Sequence, residues 1–457
     1  MITDLHLRGF KGWADTGPLK FARITGFFGP NSSGKSALIQ ALLMLKQTAD
    51  SPDRNLPLFL GDDRSLVELG GFHEVTHRHD TERGIEWDIS WRLPKQITIT
   101  DPTVPSRTLF STEQLSQFAR VTQGGAGLRV ERMGYRIDNL ELGMQAREKQ
   151  GYDLFPSRAE GRDFHFVRTR GRAWPLPPPT KCYGFPPEVR AYYQNAQFLA
   201  DLELAAEHLW GRVFYLGPLR EYPRRHYIWA GGEPLDVGRR GERVTDALLS
   251  SRARGKYISP GPRRHRRTLE EQVASSLADL GIVHKFEIES VAEDVQIYRM
   301  MLQTDNGGPL VPVTDVGFGV SQVLPVITLC YYVPEGSVVI LEQPEIHLHP
   351  AVQAGLADVL IDAVKTRRIQ VILESHSEHL LRRLQRRMAE GKIDPEQEVA
   401  LYFVHRTGRA SDIQRLLLDL FGRISNWPPG FFGDDLGEVL ATQAAILRQK
   451  GADAQGG

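Results

Sequence analysis

Cysteine is scarce in this chain: Cys182 and Cys330 are its only 2 thiols in 457 residues. They stand far apart and in no metal-ligand spacing. That argues against a disulfide framework and a cysteine zinc site, and it fits a reducing compartment. Net charge is missing as well, since 56 Lys and Arg residues balance 56 Asp and Glu residues. The sum therefore gives no sign of nucleic-acid binding, although a local patch still acts through its local field. No uncharged apolar run reaches membrane-spanning length. The most apolar stretch, 316–333, is interrupted by Ser321, Gln322, Pro325 and two adjacent tyrosines. The N-terminus lacks a basic start followed by an apolar core, so it does not read as a signal peptide. There is no internal repeat and no heptad run long enough for a coiled-coil arm. Together these absences read as a cytoplasmic chain.

What is present is an ordinary globular composition, with 41% hydrophobic and 25% charged residues. The length suits one large domain or two to three ordinary ones. Residues 1–50 read as strands followed by a helix: Leu5-His6-Leu7 alternates, and Ile24 to Phe28 is a short apolar run that stops at a glycine-rich turn. Residues 85–170 alternate, as in Trp87-Asp88-Ile89-Ser90-Trp91, and predict antiparallel strands. A proline-rich stretch over 171–187 reads as a loop, and 187–212 as one long helix. Residues 252–267, with Arg263, Arg264, Arg266 and Arg267, read as a basic, mobile loop. Residues 268–285 read as helix and 286–305 as strand. From 311 to about 425, strand and helix alternate as in a parallel α/β sheet. The tail 451–457 reads as disordered.

One motif carries chemistry outright. Gly29-Pro30-Asn31-Ser32-Ser33-Gly34-Lys35-Ser36 fits the phosphate-loop pattern, with a strand before it and a helix after it. Glycine is needed where backbone N–H groups turn inward around phosphate oxygens. The helix N-terminus adds free donors and a favourable dipole. Lys35 is expected to reach the β- and γ-phosphates of ATP, and Ser36 to bind Mg²⁺.

A second motif supplies acid. An apolar strand, 337–341, ends at Glu342-Gln343-Pro344-Glu345, followed by Ile346-His347-Leu348-His349-Pro350. A carboxylate at the end of a buried parallel strand sits beside the phosphate loop and can hold Mg²⁺, the role expected of Glu342. A third apolar strand, 369–373, leads into Glu374-Ser375-His376-Ser377, and His376 is placed to reach the γ-phosphate region. Between them, Gly317-Phe318-Gly319-Val320-Ser321-Gln322 precedes a helix starting near Ser321. This is a second helix N-terminus suited to an anion.

This set resembles the ABC-type ATPase heads of the RecF, SMC and overcoming-lysogenization-defect group, in the order phosphate loop, long insertion, signature helix, acid strand, histidine loop. Leu216-Gly217-Pro218-Leu219-Arg220 and Asn426-Trp427-Pro428-Pro429-Gly430-Phe431-Phe432 resemble segments of its bacterial AAA-labelled branch. The last implies a small C-terminal domain of unknown function. The resemblance implies an α/β fold: an ABC-type P-loop ATPase head with a mainly β and helical insertion lobe. Its parts are 1–84 and 213–425 for the head, 85–212 for the lobe and 426–457 for the C-terminal segment.

It also implies a homodimer. Two heads face each other around ATP, the Gly319, Ser321 and Gln322 segment of one meets the γ-phosphate held by the other, and Lys11 contacts nucleotide. Relatives carry Glu after the metal acid to activate water; here that position is Gln343, which orients water but cannot accept its proton. Either Glu345 or another carboxylate substitutes, or turnover is slow and ATP acts mainly as a switch, the preferred reading. In such heads a glutamine loop links the sheet to the lateral lobe, and residues 69–72 are the region expected to do that job.

Two roles compete. In one, the ATPase gates a separate effector protein, a nuclease or toxin, in antiphage defence. In the other it acts directly on duplex DNA. Arginines 263, 264, 266 and 267, and the set Arg382, Arg383, Arg386 and Arg387, either contact DNA phosphates or form solvated faces. Arg220 pairs with nucleotide or the second head, or makes a structural salt bridge. Asp434-Asp435 reads as a solvated turn, which with the short remaining length argues against a fused nuclease.

Overall fold

The computed structural model describes residues 1–428, apart from 101–107, 126, 139, 149, 157–163, 171–173, 260–264 and 293–294. The expectations for Arg263, Arg264, residues 429–432, Asp434, Asp435 and the tail fall outside the described residues.

The chain opens with β1 (Ile2–Phe10), β2 (Trp13–Lys20) and β3 (Ile24–Phe28), then α1 (Lys35–Asp50) and the single turn α2 (Phe72–Val75). Long strands follow: β4 (Ile85–Thr100), β5 (Thr108–Gly124), β6 (Gly127–Ile137), β7 (Leu140–Ala146) and β8 (Tyr152–Pro156). Next come α3 (Pro187–Tyr192), α4 (Leu199–Trp210), β9 (Val213–Leu216), β10 (Tyr227–Ile228) and α5 (Val244–Ala253). Two short strands, β11 (Tyr257–Ile258) and β12 (Arg267–Thr268), precede α6 (Leu269–Asp279), β13 (Lys285–Ser290), β14 (Ile297–Gln303) and β15 (Val311–Pro312). The remainder runs α7 (Gly319–Tyr332), β16 (Val338–Glu342), α8 (Pro350–Arg367), β17 (Gln370–Glu374), α9 (Glu378–Ala389), β18 (Val399–Thr407) and β19 (Ala410–Arg415).

A central sheet has the order β19-β18-β3-β17-β16-β9 and is parallel except for β19. Every residue of β3, β16 and β17 is buried. Strands covered on both faces read as near-continuous apolar runs, which is why these three were visible in the sequence. Alternate residues of β16 serve two cores. Val338 and Ile340 pack with α1, α4 and the long strands. Val339 and Leu341 pack with α5 to α9.

A second sheet, β2-β1-β4-β5-β6-β7-β8, is antiparallel throughout. The strands expected in an insertion lobe therefore continue the sheet that β1 and β2 begin. β4 pairs with β1 from Ile2 to Arg8. A two-stranded ribbon is marginal alone and leaves an open edge, and β4 covers it.

Two other expectations change. The helix read over 187–212 is broken into α3 and α4. Gln194 N–H donates to the Val167 carbonyl, and the Asn195 side chain bonds the backbone of His165 and Val167, so these residues leave the helix to satisfy a neighbouring segment. In the stretch read as a basic loop, β11 pairs with β12. There Arg252 pairs with Glu270, and Arg254 and Lys256 pair with Glu233. Among the described residues no helix is long and apolar enough to cross a membrane.

Gln370 ties the two sheets together. Its Oε1 accepts from Ile2 N–H at 2.8 Å, and its Nε2 donates to the carbonyls of Ile2 at 2.7 Å and Ala22 at 2.9 Å. The residue is 1% exposed. Gln370→Leu strands these main-chain groups away from water and is expected to cost about 3 kcal/mol. A denaturant midpoint unchanged from wild type would show that the tie is dispensable.

Candidate functional site

The turn after β3 is built on two glycines that cannot be replaced. Gly29 has φ 139° and Gly34 has φ 111°. A Cβ on Gly29 would lie 2.0 Å from the Val404 carbonyl oxygen, and one on Gly34 would lie 2.4 Å from Ser411 Oγ. Strands β18 and β19 thus press directly on the loop, and Trp13 Nε1 donates to the Gly34 carbonyl at 3.1 Å. Helix α1 starts at once, with no side-chain cap and no acid in its first turn. Its orphan N–H groups and positive dipole end are left for an external anion. Lys35 is buried, and its Nζ donates to the carbonyls of Gly29 at 3.0 Å and Pro30 at 2.8 Å. Ser33 is 1% exposed, with its hydroxyl lacking a hydrogen-bond partner.

Three carboxylates converge beside this loop. β16 and β17 run in parallel register with Glu342 opposite Glu374. Ser36 Oγ donates to Glu374 Oε1 at 3.0 Å, and Lys35 Nζ lies 3.9 Å from the same oxygen. Glu345 Oε1 accepts from His376 N–H at 2.7 Å. Glu374 Oε2 and Glu345 Oε2 are buried with no hydrogen-bond partner.

Burial dominates their protonation. It pushes the Glu342 carboxyl up to about 7, helped by the charge of Glu374 and opposed by a hydrogen bond from Tyr215 and the charge of Arg220. Burial also raises Glu345 and Glu374 above the usual carboxylate range. It lowers Lys35, while Glu374 and Glu345 pull it back up. His376 is lowered by burial and then by Lys35, which favours the neutral imidazole.

The expected residues fall as follows. Gly29 to Ser36, Glu345 and His376 are brought together. Glu342 stands two strands from β3, with Glu374 of β17 between them. Direct contact with Ser36 belongs to Glu374, which the sequence reading took only as the end of a strand. The one available signal was that 338–342 and 370–374 read VVILE and QVILE, two buried strands ending in the same acid. Gln343 adopts φ 43° and donates its N–H to the Glu374 carbonyl at 2.9 Å. Lys11 Nζ donates to Gln40 Oε1 on α1 at 2.6 Å. Its N–H bonds the Val75 carbonyl at 2.7 Å, which sets α2, next to the expected glutamine-loop region, against Lys11. Gly319, Ser321 and Gln322 form the first turn of α7, which starts two residues before Ser321.

The donor set suits Mg²⁺: hard oxygens from Ser36, Glu342 and Glu374, two unpartnered carboxylate oxygens close by, and no thiolate. Among the described residues no three His, Cys, Asp or Glu side chains enclose a cation by themselves. This agrees with an ion that takes one or two carboxylates and shares phosphate oxygens. When bound, the ion neutralises negative charge on the phosphates.

Residues 215–382 match the family described as "AAA domain, putative AbiEii toxin, Type IV TA system", and residues 393–441 match "Protein of unknown function (DUF3696)". Both agree with the resemblance drawn from the motifs. The second begins upstream of residue 426 and takes in β18 and β19. No curated protein matches the sequence. Among solved structures, an SMC head bound to the C-winged helix domain of ScpA overlays with a TM-score of 0.44 at 11% identity, covering 91% of this chain and 98% of the other. The SMC head domain from Thermotoga maritima gives 0.42 at 11%, covering 91% and 99%. An SMC head with an extended coiled coil bound to the C-terminal domain of ScpA, from Pyrococcus furiosus, gives 0.43 at 10%, covering 91% and 96%.

The raised Glu342 carboxyl makes a stability prediction. A group whose pKa rises from 4.5 to about 7 on folding holds its proton more tightly in the folded state. Its contribution is full below pH 4.5 and is lost as pH climbs through about 7. At pH 8 the burial of this charge costs on the order of 3 kcal/mol. Glu342→Gln, in protein free of metal and nucleotide, is expected to melt higher than wild type at pH 8 and close to it at pH 5. Equal melting shifts at both pH values would contradict this.

Proposed function

We propose that this AAA-type chain is an ATP-binding and hydrolysing switch that pairs head to head with a second copy on ATP and gates a separate effector protein in antiphage defence. The observation that carries the reading is the convergence of Lys35, Ser36 and Glu374 at the uncapped N-terminus of α1, with Glu342, Glu345 and His376 beside them. Backbone N–H groups and Lys35 hold the triphosphate. Ser36 with Glu342 and Glu374 holds Mg²⁺. Gly319, Ser321 and Gln322 start α7 as a second positive helix end, suited to the nucleotide of the opposite copy. Gln343 orients water without accepting its proton, which makes turnover slow.

The matched family's description names a toxin of a toxin–antitoxin system, which favours an effector-linked role. The alternative, direct action on duplex DNA, loses one support. On α9, Arg382 pairs with Glu378, Arg383 with Asp358, Arg386 with Glu390, and Arg387 with both Asp358 and Glu390. Guanidinium groups already engaged by carboxylates are poor phosphate clamps.

Lys35→Ala is expected to lower ATP turnover by roughly 100-fold or more. Wild-type hydrolysis in that variant removes the site. Gln343→Glu is expected to raise turnover by roughly 100-fold, measured as phosphate release. No rise would move the base to Glu345, whose Oε2 is unpartnered. Light scattering with and without ATP and Mg²⁺ tests the pairing, and a salt-dependent DNA titration tests the alternative. Steep loss of binding with salt would favour the DNA reading.

A further inference from the structure

Arg220 ends the segment that leaves the edge strand β9. The residue is 5% exposed, and its Nε, Nη1 and Nη2 are buried without a hydrogen-bond partner. No ion pair forms to it among the described residues. The structural salt bridge open from sequence is therefore not made. A guanidinium is permanently charged and carries five donors, so burying it unpaired is among the costliest arrangements a fold can hold.

Its surroundings show what would satisfy it. Arg220 lines a cavity of about 470 Å³ together with Arg240, Gln322, His347, Tyr222 and Phe318. No carboxylate lines that cavity. Gln322 is 2% exposed, and its Nε2 also lacks a partner. Phe318 caps the start of α7, a helix of 14 residues with no side-chain cap, so a positive helix end borders the same space. Of its lining, Tyr222 and Phe318 are 72% and 40% exposed, with ring centroids 5.6 Å apart. Burial brings the Arg220 guanidinium down to about 10, against the charges of Tyr215, Glu342 and Glu345, which lie close on its inner side. Arg220 thus stands between the carboxylates of the phosphate-loop site and a space lined by donors. A planar fork of donors matches the oxygens of a phosphoryl group.

We propose that Arg220 pairs with the terminal phosphoryl group of the nucleotide and distinguishes ATP from ADP. This rests on the nucleotide reading above and adds to it a residue outside the four motifs. The phosphoryl group comes either from the chain's own phosphate loop or from that of a second copy. No bond is made or broken at Arg220. It donates hydrogen bonds to oxygens that gain charge as the terminal phosphate leaves, as arginines do in other phosphoryl transfers.

The experiment compares wild type, Arg220→Gln and Arg220→Lys for binding of fluorescent ADP, binding of a non-hydrolysable ATP analogue, and phosphate release. Arg220→Gln is expected to keep ADP affinity within about 3-fold, to lose the preference for the ATP analogue, and to release phosphate roughly 100-fold more slowly. Arg220→Lys keeps the charge but not the fork and is expected to recover only part of the rate. It also stands in should Arg220→Gln fail to fold. Wild-type discrimination and turnover in a folded variant would overturn the proposal while leaving the nucleotide site intact. A wild-type chain that binds neither nucleotide would overturn both. Mixing Arg220→Gln with Lys35→Ala copies separates the sources. Recovery of phosphate release places Arg220 against the partner's nucleotide, and no recovery places it against its own.

Discussion

The site depends on an imbalance of buried charge. Glu342, Glu345 and Glu374 lie at the ends of two adjacent strands, each largely withdrawn from water. Among the described residues the cations placed to answer them are Lys35 and Arg220, and burial lowers both of those too. Such a cluster cannot be comfortable alone, and the upward shift of all three carboxyls expresses that. A divalent cation bringing its own phosphate oxygens resolves both halves of the problem. It compensates the acids, and the phosphates give the helix end, Lys35 and Arg220 their acceptors. The free chain thus holds an uncompensated buried charge that a ligand of this kind would relieve.

Support for the phosphate loop comes from far along the sequence. Val404 and Ser411 sit where any side chain on Gly29 or Gly34 would have to go. The strands that carry them fall within the segment matched to a family of unknown function. That segment is therefore continuous with the ATPase sheet: β18 pairs in parallel with β3 from Ile24 to Phe28. Whatever binds or shifts β18 and β19 bears on the loop through close contact, made by the Val404 backbone against Gly29 and by the Ser411 side chain against Gly34.

Much of this was legible. The phosphate loop, the acid strand and the histidine segment announce themselves because local spacing is the chemistry. Buried parallel strands announce themselves as unbroken apolar runs. What escaped was long-range. Glu374 contacts Ser36 because β17, later in sequence than β16, inserts between it and β3, and strand order is not written in periodicity. The long strands join β1 because that strand has an edge to cover, a requirement visible only once β1 is placed. The break between α3 and α4 answers the backbone of residues 165–167, which a window over 187–212 does not contain. The arginines of α9 stay open between a phosphate surface and a solvated face in sequence because Asp358, the partner of Arg383 and Arg387, lies on another helix.

The position of Glu345 bears on the slow turnover proposed for this site. One of its oxygens is fixed by His376 N–H at 2.7 Å, so the carboxylate and the histidine loop form a single unit. Its other oxygen is buried and unpartnered, and its proton affinity is raised. A carboxylate of raised pKa is a better proton acceptor than an exposed one, and Gln343 cannot serve in that capacity at all. Yet a group held by the backbone it would have to move cannot approach water without carrying His376 along. Any base action by Glu345 is therefore tied to rearrangement of residues 375–377. Under the proposed function, a conformational step of that kind, rather than proton transfer itself, would set the limit on turnover and offer a partner its point of action.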